Sequence, residues 1–202
     1  MANAIPLNRW KRGHAPGHAR GLLGKHLLRR REDGTVCAHL ITEVEAYDGA
    51  RDLACHAAKG RTARTDILYA PGGIWYVYLC YGIHEMLNLV VGPRDWPAAI
   101  LIRGLEGVSG PGRVTRSLQV DRRLNRRPAL PETGLWIEDW GVRVPRRLVR
   151  ATPRIGVDYA GPVWAAKPWR FIFDPQELAR VRRRRLPPPA DIRSASPAPS
   201  RT

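Results

Sequence analysis

The stretch TVCAHLITEVEAY, Thr35 to Tyr47, decides the fold. It is rich in valine, isoleucine and threonine and has no glycine or proline, which predicts a long β-strand. Strict alternation places one set of side chains on each face. One set is His39, Ile41, Glu43, Glu45 and Tyr47, and the other, which we expect to be core, is Ala38, Leu40, Thr42, Val44 and Ala46. The first face ends in two carboxylates and a tyrosine, at a strand end suited to a functional site.

The flanking segments predict further short elements of a mixed α/β domain. Residues 18–31 suggest a helix that runs into a strand, and Asp33-Gly34 is a hairpin-turn signal. A loop with a short helix near 53–58 follows. The remaining pattern predicts strands over 74–82, 86–92, 98–106, 135–140, 147–157 and 169–174, and a helix after Gly110 with Val114, Leu118 and Leu124 facing inward.

The chain length of 202 residues suits one domain with less ordered ends. We expect residues 1–175 to form this domain and residues 1–17 to be a flexible basic arm. Residues 176–202 combine an arginine run with proline, serine and alanine, which predicts a disordered tail.

The formal net charge of +16 favours a polyanionic partner, of which nucleic acid is the commonest inside a cell. The first 31 residues contain eight Lys or Arg and no acid, so the charge is not confined to the tail. A solvated basic surface is the alternative. Cys37, Cys55 and Cys80 show no C-x-x-C spacing, which favours reduced thiols. The sequence lacks a signal-peptide pattern and a long apolar run, so we expect a cytoplasmic protein, without membrane contact, that acts as a monomer.

Several linked motifs resemble one known family. EVEAYDG, YVYLCYGIHEMLN, LIRGLE, GPGRV and RIGVDYAGPVWAAKPWRF are similar, in order and spacing, to motifs of the alkyladenine (3-methyladenine, methylpurine) DNA glycosylases, over roughly Gly21 to Asp174. The resemblance implies a single α/β (α+β) domain, built on a curved antiparallel sheet with flanking helices and reminiscent of a formyltransferase C-terminal domain. It implies duplex DNA containing damaged purines as the partner, and neither a metal nor any other cofactor.

The resemblance also implies the hydrolytic residues. Glu45 matches the general base that activates water and offsets oxocarbenium charge. Glu43 points the same way, and we expect it to support Glu45. Arg103 matches the arginine near the flipped nucleotide's phosphate and the water. Even without the resemblance, an arginine within an apolar strand needs a buried partner, for which Glu45 is a candidate. The alternative for Glu45 is an ordinary surface glutamate.

Aromatic residues match the parts that hold an extruded purine. Tyr47, His56 and Tyr78 match the stacking walls, and Tyr76 matches a pocket-lining tyrosine, although sheet packing also explains it. Tyr81 matches the wedge that intercalates in DNA, or else it closes a hairpin over the core. Two further matches are Asn88, which disfavours the amine of guanine, and Ile155, whose backbone carbonyl helps to hold the water. For His56, the alternative is a capping or core histidine.

Together these matches predict a monofunctional DNA glycosylase that initiates base-excision repair. It would flip alkylated or deaminated purines, such as 3-methyladenine, 7-methylguanine, hypoxanthine and ethenoadenine, out of duplex DNA and hydrolyse the N-glycosidic bond. Two alternatives stay open: a non-catalytic nucleic-acid binding module of the same fold, and a glycosylase of this fold narrowed to one lesion.

Overall fold

The computed structural model describes residues 3–185, which form one antiparallel sheet with helices packed against it. The strands are β1 (His26–Arg30), β2 (Val36–Asp48), β3 (Trp75–Cys80), β4 (His84–Val90), β5 (Ala98–Leu105), β6 (Val108–Ser109), β7 (Leu135–Glu138), β8 (Arg150–Thr152) and β9 (Arg170–Ile172). They follow one another across the sheet in the order β3-β4-β5-β2-β1-β7, while β6 pairs with β5 and β9 pairs with both β2 and β8. The predicted α/β domain on a curved antiparallel sheet is therefore confirmed.

Four α-helices and several 3-10 turns complete the described part of the chain. The α-helices are α1 (Ala15–Leu22), α2 (Pro111–Ser117), α3 (Gly161–Ala165) and α4 (Pro175–Arg185). The 3-10 turns are Leu7–Trp10, His56–Lys59, Asp66–Tyr69, Arg122–Leu124, Pro131–Thr133, Arg146–Leu148 and Asp158–Ala160. No helix in residues 3–185 has the length and apolar character needed to cross a membrane.

The two faces of the sheet bury different clusters, because side chains alternate along each strand. Trp75, Leu87 and Ile100 point into the main core, which α1 and α2 cover. Tyr76 and Ala99 point the other way and pack under the segment between β2 and β3. The second face is therefore the one that carries the aromatic residues singled out in the sequence.

The strict alternation predicted for β2 is wrong at Ile41. This side chain is fully buried in the main core, on the same side as Val44 and Ala46. The pairing with β5 shifts between Ile41 and Glu43, which leaves Thr42 as an extra residue on β2. Such a bulge moves every later side chain to the opposite face. As a result, the side chains of Ile41 and Glu43 lie on opposite faces of the sheet, although the two residues are only two positions apart.

A second irregularity in the same ladder lies opposite Glu43. Glu43 pairs with Gly104, and Val44 pairs with Ile102, so Arg103 is an extra residue on β5. A Cβ atom at Gly104 would lie 2.9 Å from the Cβ atom of Glu43, closer than real side chains approach. Glycine at this position therefore permits the bulge that directs Arg103 toward the glutamates.

Both predictions for the chain ends need correction. Within the predicted flexible arm, Trp10 is buried and the Ile5 amide donates to the Ile137 carbonyl oxygen, so residues 3–17 pack on the domain. Residues 175–185, which overlap the predicted disordered tail, form α4, because Leu178 is buried in the main core. Residues 1–2 and 186–202 lie outside the described residues.

Most other predicted elements occur close to their expected positions. The Asp33-Gly34 turn joins β1 to β2, and Val114, Leu118 and Leu124 are buried as expected. The helix expected near 53–58 is the 3-10 turn His56–Lys59. The strand expected over 147–157 is much shorter, because only Arg150–Thr152 pair with β9. The chain after Thr152 leaves the sheet and contacts the site described below.

Candidate active site

Glu45 is fully buried and accepts hydrogen bonds from three directions. Its Oε1 atom accepts from the backbone N–H of Ile155 at 2.8 Å. Its Oε2 atom accepts from the Tyr47 hydroxyl at 2.8 Å and from Arg103 Nη1 at 3.4 Å. The side chain has no solvent exposure, which excludes an ordinary surface glutamate. A buried carboxylate with converging donors can serve as a base while remaining fixed in position.

The guanidinium of Arg103 lies between the two glutamates of β2. Its Nε donates to Glu43 Oε1 at 3.1 Å, and its Nη1 makes the longer contact with Glu45. Arg170 on β9 also donates to Glu43 Oε1, at 2.6 Å. The predicted ion pair between Arg103 and Glu45 is present, but Glu43 forms the shorter contact. Glu43 therefore holds Arg103 in place beside Glu45.

Burial and hydrogen bonding act on the Glu45 carboxyl in opposite directions. Loss of solvent raises its pKa above the ordinary value of 4.5, while Arg103, the Ile155 amide and the Tyr47 hydroxyl act to lower it. Burial also raises the pKa of Tyr47 well above its usual range, with a further contribution from the neighbouring Glu45 charge. Tyr47 is therefore a neutral donor to Glu45.

A buried ion pair that was not predicted from the sequence fixes the segment after β8 next to Glu45. Arg154 donates to Asp52 through two nitrogens, at 2.6 and 2.8 Å, and both side chains have zero exposure. Arg154 also donates to the Ala46 carbonyl oxygen at 2.9 Å. Its guanidinium carbon lies 4.7 Å from the centre of the Tyr47 ring. Arg154 directly precedes Ile155, whose amide reaches Glu45.

One aromatic group consists of His56, Tyr76 and Tyr78. It lies on the same face of the sheet as Tyr47, which donates to Glu45. The His56 ring meets the Tyr78 ring edge-on, with centres 4.7 Å apart. His56 Nδ1 lies 3.0 Å from the Tyr76 hydroxyl, and the Tyr76 and Tyr78 ring centres are 5.1 Å apart. Tyr47 and Tyr78 pack against the same buried cluster. The structure thus brings the four predicted slot residues together.

His56 is neutral at physiological pH. Burial, with added repulsion from the nearby cations Arg64 and Lys59, lowers its pKa to about 4. Arg64 itself is exposed, with its guanidinium carbon 5.1 Å from the centre of the Tyr78 ring. The position of this cation beside Tyr78 could not be predicted, because a loop sequence does not indicate which strand the loop covers.

Asn88 on β4 is buried directly opposite Tyr76. Its amide nitrogen donates to the Tyr76 carbonyl oxygen at 3.2 Å and to the Met86 carbonyl oxygen at 3.3 Å. These bonds fix the amide against the strand backbone. Because directly paired residues of neighbouring strands share a sheet face, Asn88 lies on the face that carries the aromatic group.

Tyr81 lies at the tip of the hairpin between β3 and β4. Tyr81 and Gly82 both have positive φ angles, of 50° and 70°, and the Ile83 amide donates to the Cys80 carbonyl oxygen at 3.1 Å. Tyr81 is 93 % exposed, which excludes the alternative of a tyrosine closing the hairpin over the core. A non-glycine residue at positive φ is uncommon, and here it projects a large ring into solvent.

Ile155 contacts Glu45 through a backbone group other than the one that the resemblance named. The resemblance implied a role for its carbonyl oxygen, whereas its N–H group contacts Glu45. Its side chain is half exposed. The contact with Glu45 therefore belongs to the backbone, and the role of the carbonyl oxygen toward water stays a prediction.

Comparisons with known proteins show which family the sequence resembles. Residues 9–177 match the family model described as Methylpurine-DNA glycosylase. The chain is 43 % identical over 186 residues to a protein of Psychrobacter cryohalolentis, covering 77 % of this chain and 85 % of that protein. It is 44 % identical over 172 residues to a protein of Myxococcus xanthus, covering 80 % and 87 %. Both relatives bear the name "Putative 3-methyladenine DNA glycosylase".

Proposed function

Because the chain belongs to the methylpurine-DNA glycosylase family, we propose that it hydrolyses the N-glycosidic bond of alkylated or deaminated purines in duplex DNA. The substrates we propose are 3-methyladenine, 7-methylguanine, hypoxanthine and ethenoadenine. The product would be an abasic site, which the later steps of base-excision repair process. The observation that carries the proposal is the buried Glu45 with its three converging donors.

In the proposed reaction, Glu45 accepts a proton from a water molecule as the water oxygen bonds to C1′ of the flipped nucleotide. The bond between C1′ and the base nitrogen breaks, and its electron pair leaves with the base. The raised pKa of the Glu45 carboxyl makes it a better base than a solvated glutamate. The negative charge that Glu45 carries before it takes the proton also offsets the positive charge that develops on the sugar.

The aromatic group would hold the extruded purine. A methylated purine that carries positive charge gains about 0.5 to 2 kcal/mol from the face of a tyrosine ring, relative to a neutral purine. His56 supports this preference because its lowered pKa keeps the ring uncharged, so it does not repel a cationic base. Asn88, on the floor of the slot, would disfavour the exocyclic amine of normal guanine.

The direct test is single-turnover base release from duplexes that carry one defined lesion. Separate duplexes would contain hypoxanthine, ethenoadenine or 7-methylguanine, with an undamaged duplex of the same sequence as the control. Release from at least one lesion duplex and not from the control would support the proposal. Binding without release from all lesion duplexes would contradict it.

Tyr81→Ala should weaken binding to lesion DNA more than it slows cleavage at saturating enzyme. Base stacking on an aromatic side chain contributes about 1 to 3 kcal/mol, so we expect the dissociation constant to rise roughly 5- to 150-fold. Fluorescence anisotropy with a lesion duplex measures this change. Tyr81→Phe keeps the ring and should bind nearly as well as the wild type. Equal affinities for the alanine and phenylalanine variants would mean that Tyr81 does not intercalate.

Replacing Arg182–Arg185 with glutamine should weaken DNA binding equally for lesion and undamaged duplexes. Arginines that contact phosphates contribute affinity without reading bases, and each such contact adds about 0.9 to the salt slope. Binding measured from 50 to 200 mM salt should therefore show a smaller slope for the variant. A change in lesion preference at fixed salt would instead indicate that the arginine run is part of the site.

A further inference from the structure

We propose that the buried ion pair between Asp52 and Arg154 is a positioning device for hydrolysis, because it holds the Ile155 amide against Glu45. This inference rests on the proposed function, in which Glu45 acts on the water. Neither residue would touch the nucleotide. Their effect would pass through one backbone N–H group.

The contacts of Arg154 fix both the side chain and the backbone that follows it. The guanidinium donates to both oxygens of Asp52, and also to the carbonyl oxygens of Ala46 and Trp164, at 2.9 and 3.2 Å. Its carbon lies near the Tyr47 and Trp169 rings, at 4.7 and 5.2 Å. With four hydrogen bonds and two rings around it, the guanidinium has one available position. The amide of the next residue is fixed along with it.

Asp52 connects this anchor to the segment that carries His56. Its carboxylate accepts from the backbone amides of Asp48 and Ala54, at 3.2 and 3.1 Å, as well as from Arg154. One carboxylate therefore joins the end of β2, the segment leading to His56 and the segment after β8. The ion pair of Asp52 and Arg154 therefore positions the segment of Ile155 against Glu45, although the two are distant in sequence.

The direction of the Ile155 N–H bond indicates that the ion pair positions the Glu45 carboxylate and does not only stabilise the fold. It donates to Glu45 Oε1, while Tyr47 and Arg103 share Oε2. Oε1 has no other donor among the described residues. Loss of this bond would free the carboxylate to rotate and would remove one of the interactions that favour its ionised form.

A double substitution separates positioning from stability. Replacing a buried ion pair with apolar residues of similar volume is often neutral for folding, whereas removing one partner is strongly destabilising. Asp52→Leu/Arg154→Met should therefore fold, as judged by thermal unfolding. We expect its single-turnover rate at saturating enzyme to fall roughly 10- to 100-fold, the loss typical of a misplaced catalytic group. The exposed pair Asp121 and Arg123 offers a matched control, Asp121→Leu/Arg123→Met, which should keep the wild-type rate.

The pH profile provides the second measurement. The acid limb of the rate profile should move to higher pH in the Asp52/Arg154 double variant, because Glu45 loses the amide donor and a nearby cation. The other charged or titratable groups around Glu45 are unchanged in this variant, so they do not cause the shift. They are Tyr47 and Glu43 on β2, Arg103 on β5 and Arg170 on β9.

Each outcome decides the inference. A folded double variant with the wild-type rate and profile would overturn it, and so would a slower variant with an unmoved acid limb. If the double variant does not fold, the same rate and pH profile are measured with Arg154→Lys. Lysine keeps the charge but cannot bind both Asp52 oxygens at once. Failure of the wild type to release any base would instead refute the proposed function.

Discussion

We expect Glu45→Gln to abolish measurable base release and to leave DNA binding intact. The amide cannot accept the proton of the attacking water, and loss of a general base typically costs a factor on the order of 10² to 10⁴ in rate. The loss should be near the upper end because the ionised carboxylate also offsets charge on the sugar. Single-turnover release from the lesion duplex cleaved fastest by the wild type measures the effect.

The shape of glutamine allows the rest of the site to persist in this variant. The side-chain oxygen can still accept from the Ile155 amide, and Arg103 keeps its shorter contact with Glu43. Anisotropy with the same duplex should therefore give a dissociation constant within a few-fold of the wild-type value. Glu43→Gln is the comparison variant: it weakens the hold on Arg103 but leaves the proposed base in place, so it should slow release less than Glu45→Gln does. A Glu45→Gln variant with wild-type release would refute Glu45 as the base.

The sequence predicted the parts of the fold that depend on local pattern. β3, β4 and β5 were expected within a few residues of their observed bounds, because alternating side chains and glycine-containing turns are short-range signals. The exposure of Tyr81 was expected only from the resemblance, since the pattern left open a tyrosine that closes the hairpin over the core. Spacing alone placed Tyr76 and Tyr78 on one strand face, whereas the resemblance implied that Tyr47 and His56 join them.

The parts that were missed depend on contacts between distant segments. The bulge at Thr42 arises from pairing with β5, so alternation within β2 alone misplaced Ile41. The ion pair of Asp52 and Arg154 joins residues 102 positions apart, and each residue alone resembles an ordinary polar loop residue. The N-terminal segment was expected to be flexible because of its charge. Its order comes instead from the buried Trp10 side chain and from backbone hydrogen bonds to the domain, such as that from Ile5 to Ile137.

Arg103→Met should produce the largest loss of stability among the site variants. Methionine fills similar space but leaves the buried Glu45 carboxylate without its nearest cation, and breaking a buried pair in this way costs about 3 to 5 kcal/mol. Glu43 is affected less, because Arg170 still donates to it. Urea unfolding at neutral pH measures the change. Arg103→Met/Glu45→Gln should recover most of the stability, because the uncompensated charge is then absent.

The loss of stability in Arg103→Met should also depend on pH, with a predictable sign. Burial holds the pKa of Glu45 above 4.5 in the folded protein, and removal of Arg103 raises it further. Between the unfolded and folded pKa values, the folded state binds the extra proton. The stability that this proton confers is therefore fully present below pH 4.5 and is lost as the pH rises through the folded pKa.

Each unit of additional pKa shift corresponds to about 1.4 kcal/mol. The free energy of unfolding should therefore differ more between pH 5 and pH 8 in Arg103→Met than in the wild type. The double variant with Glu45→Gln should lose this extra difference, and equal pH dependence in the single and double variants would show that Arg103 does not act on Glu45.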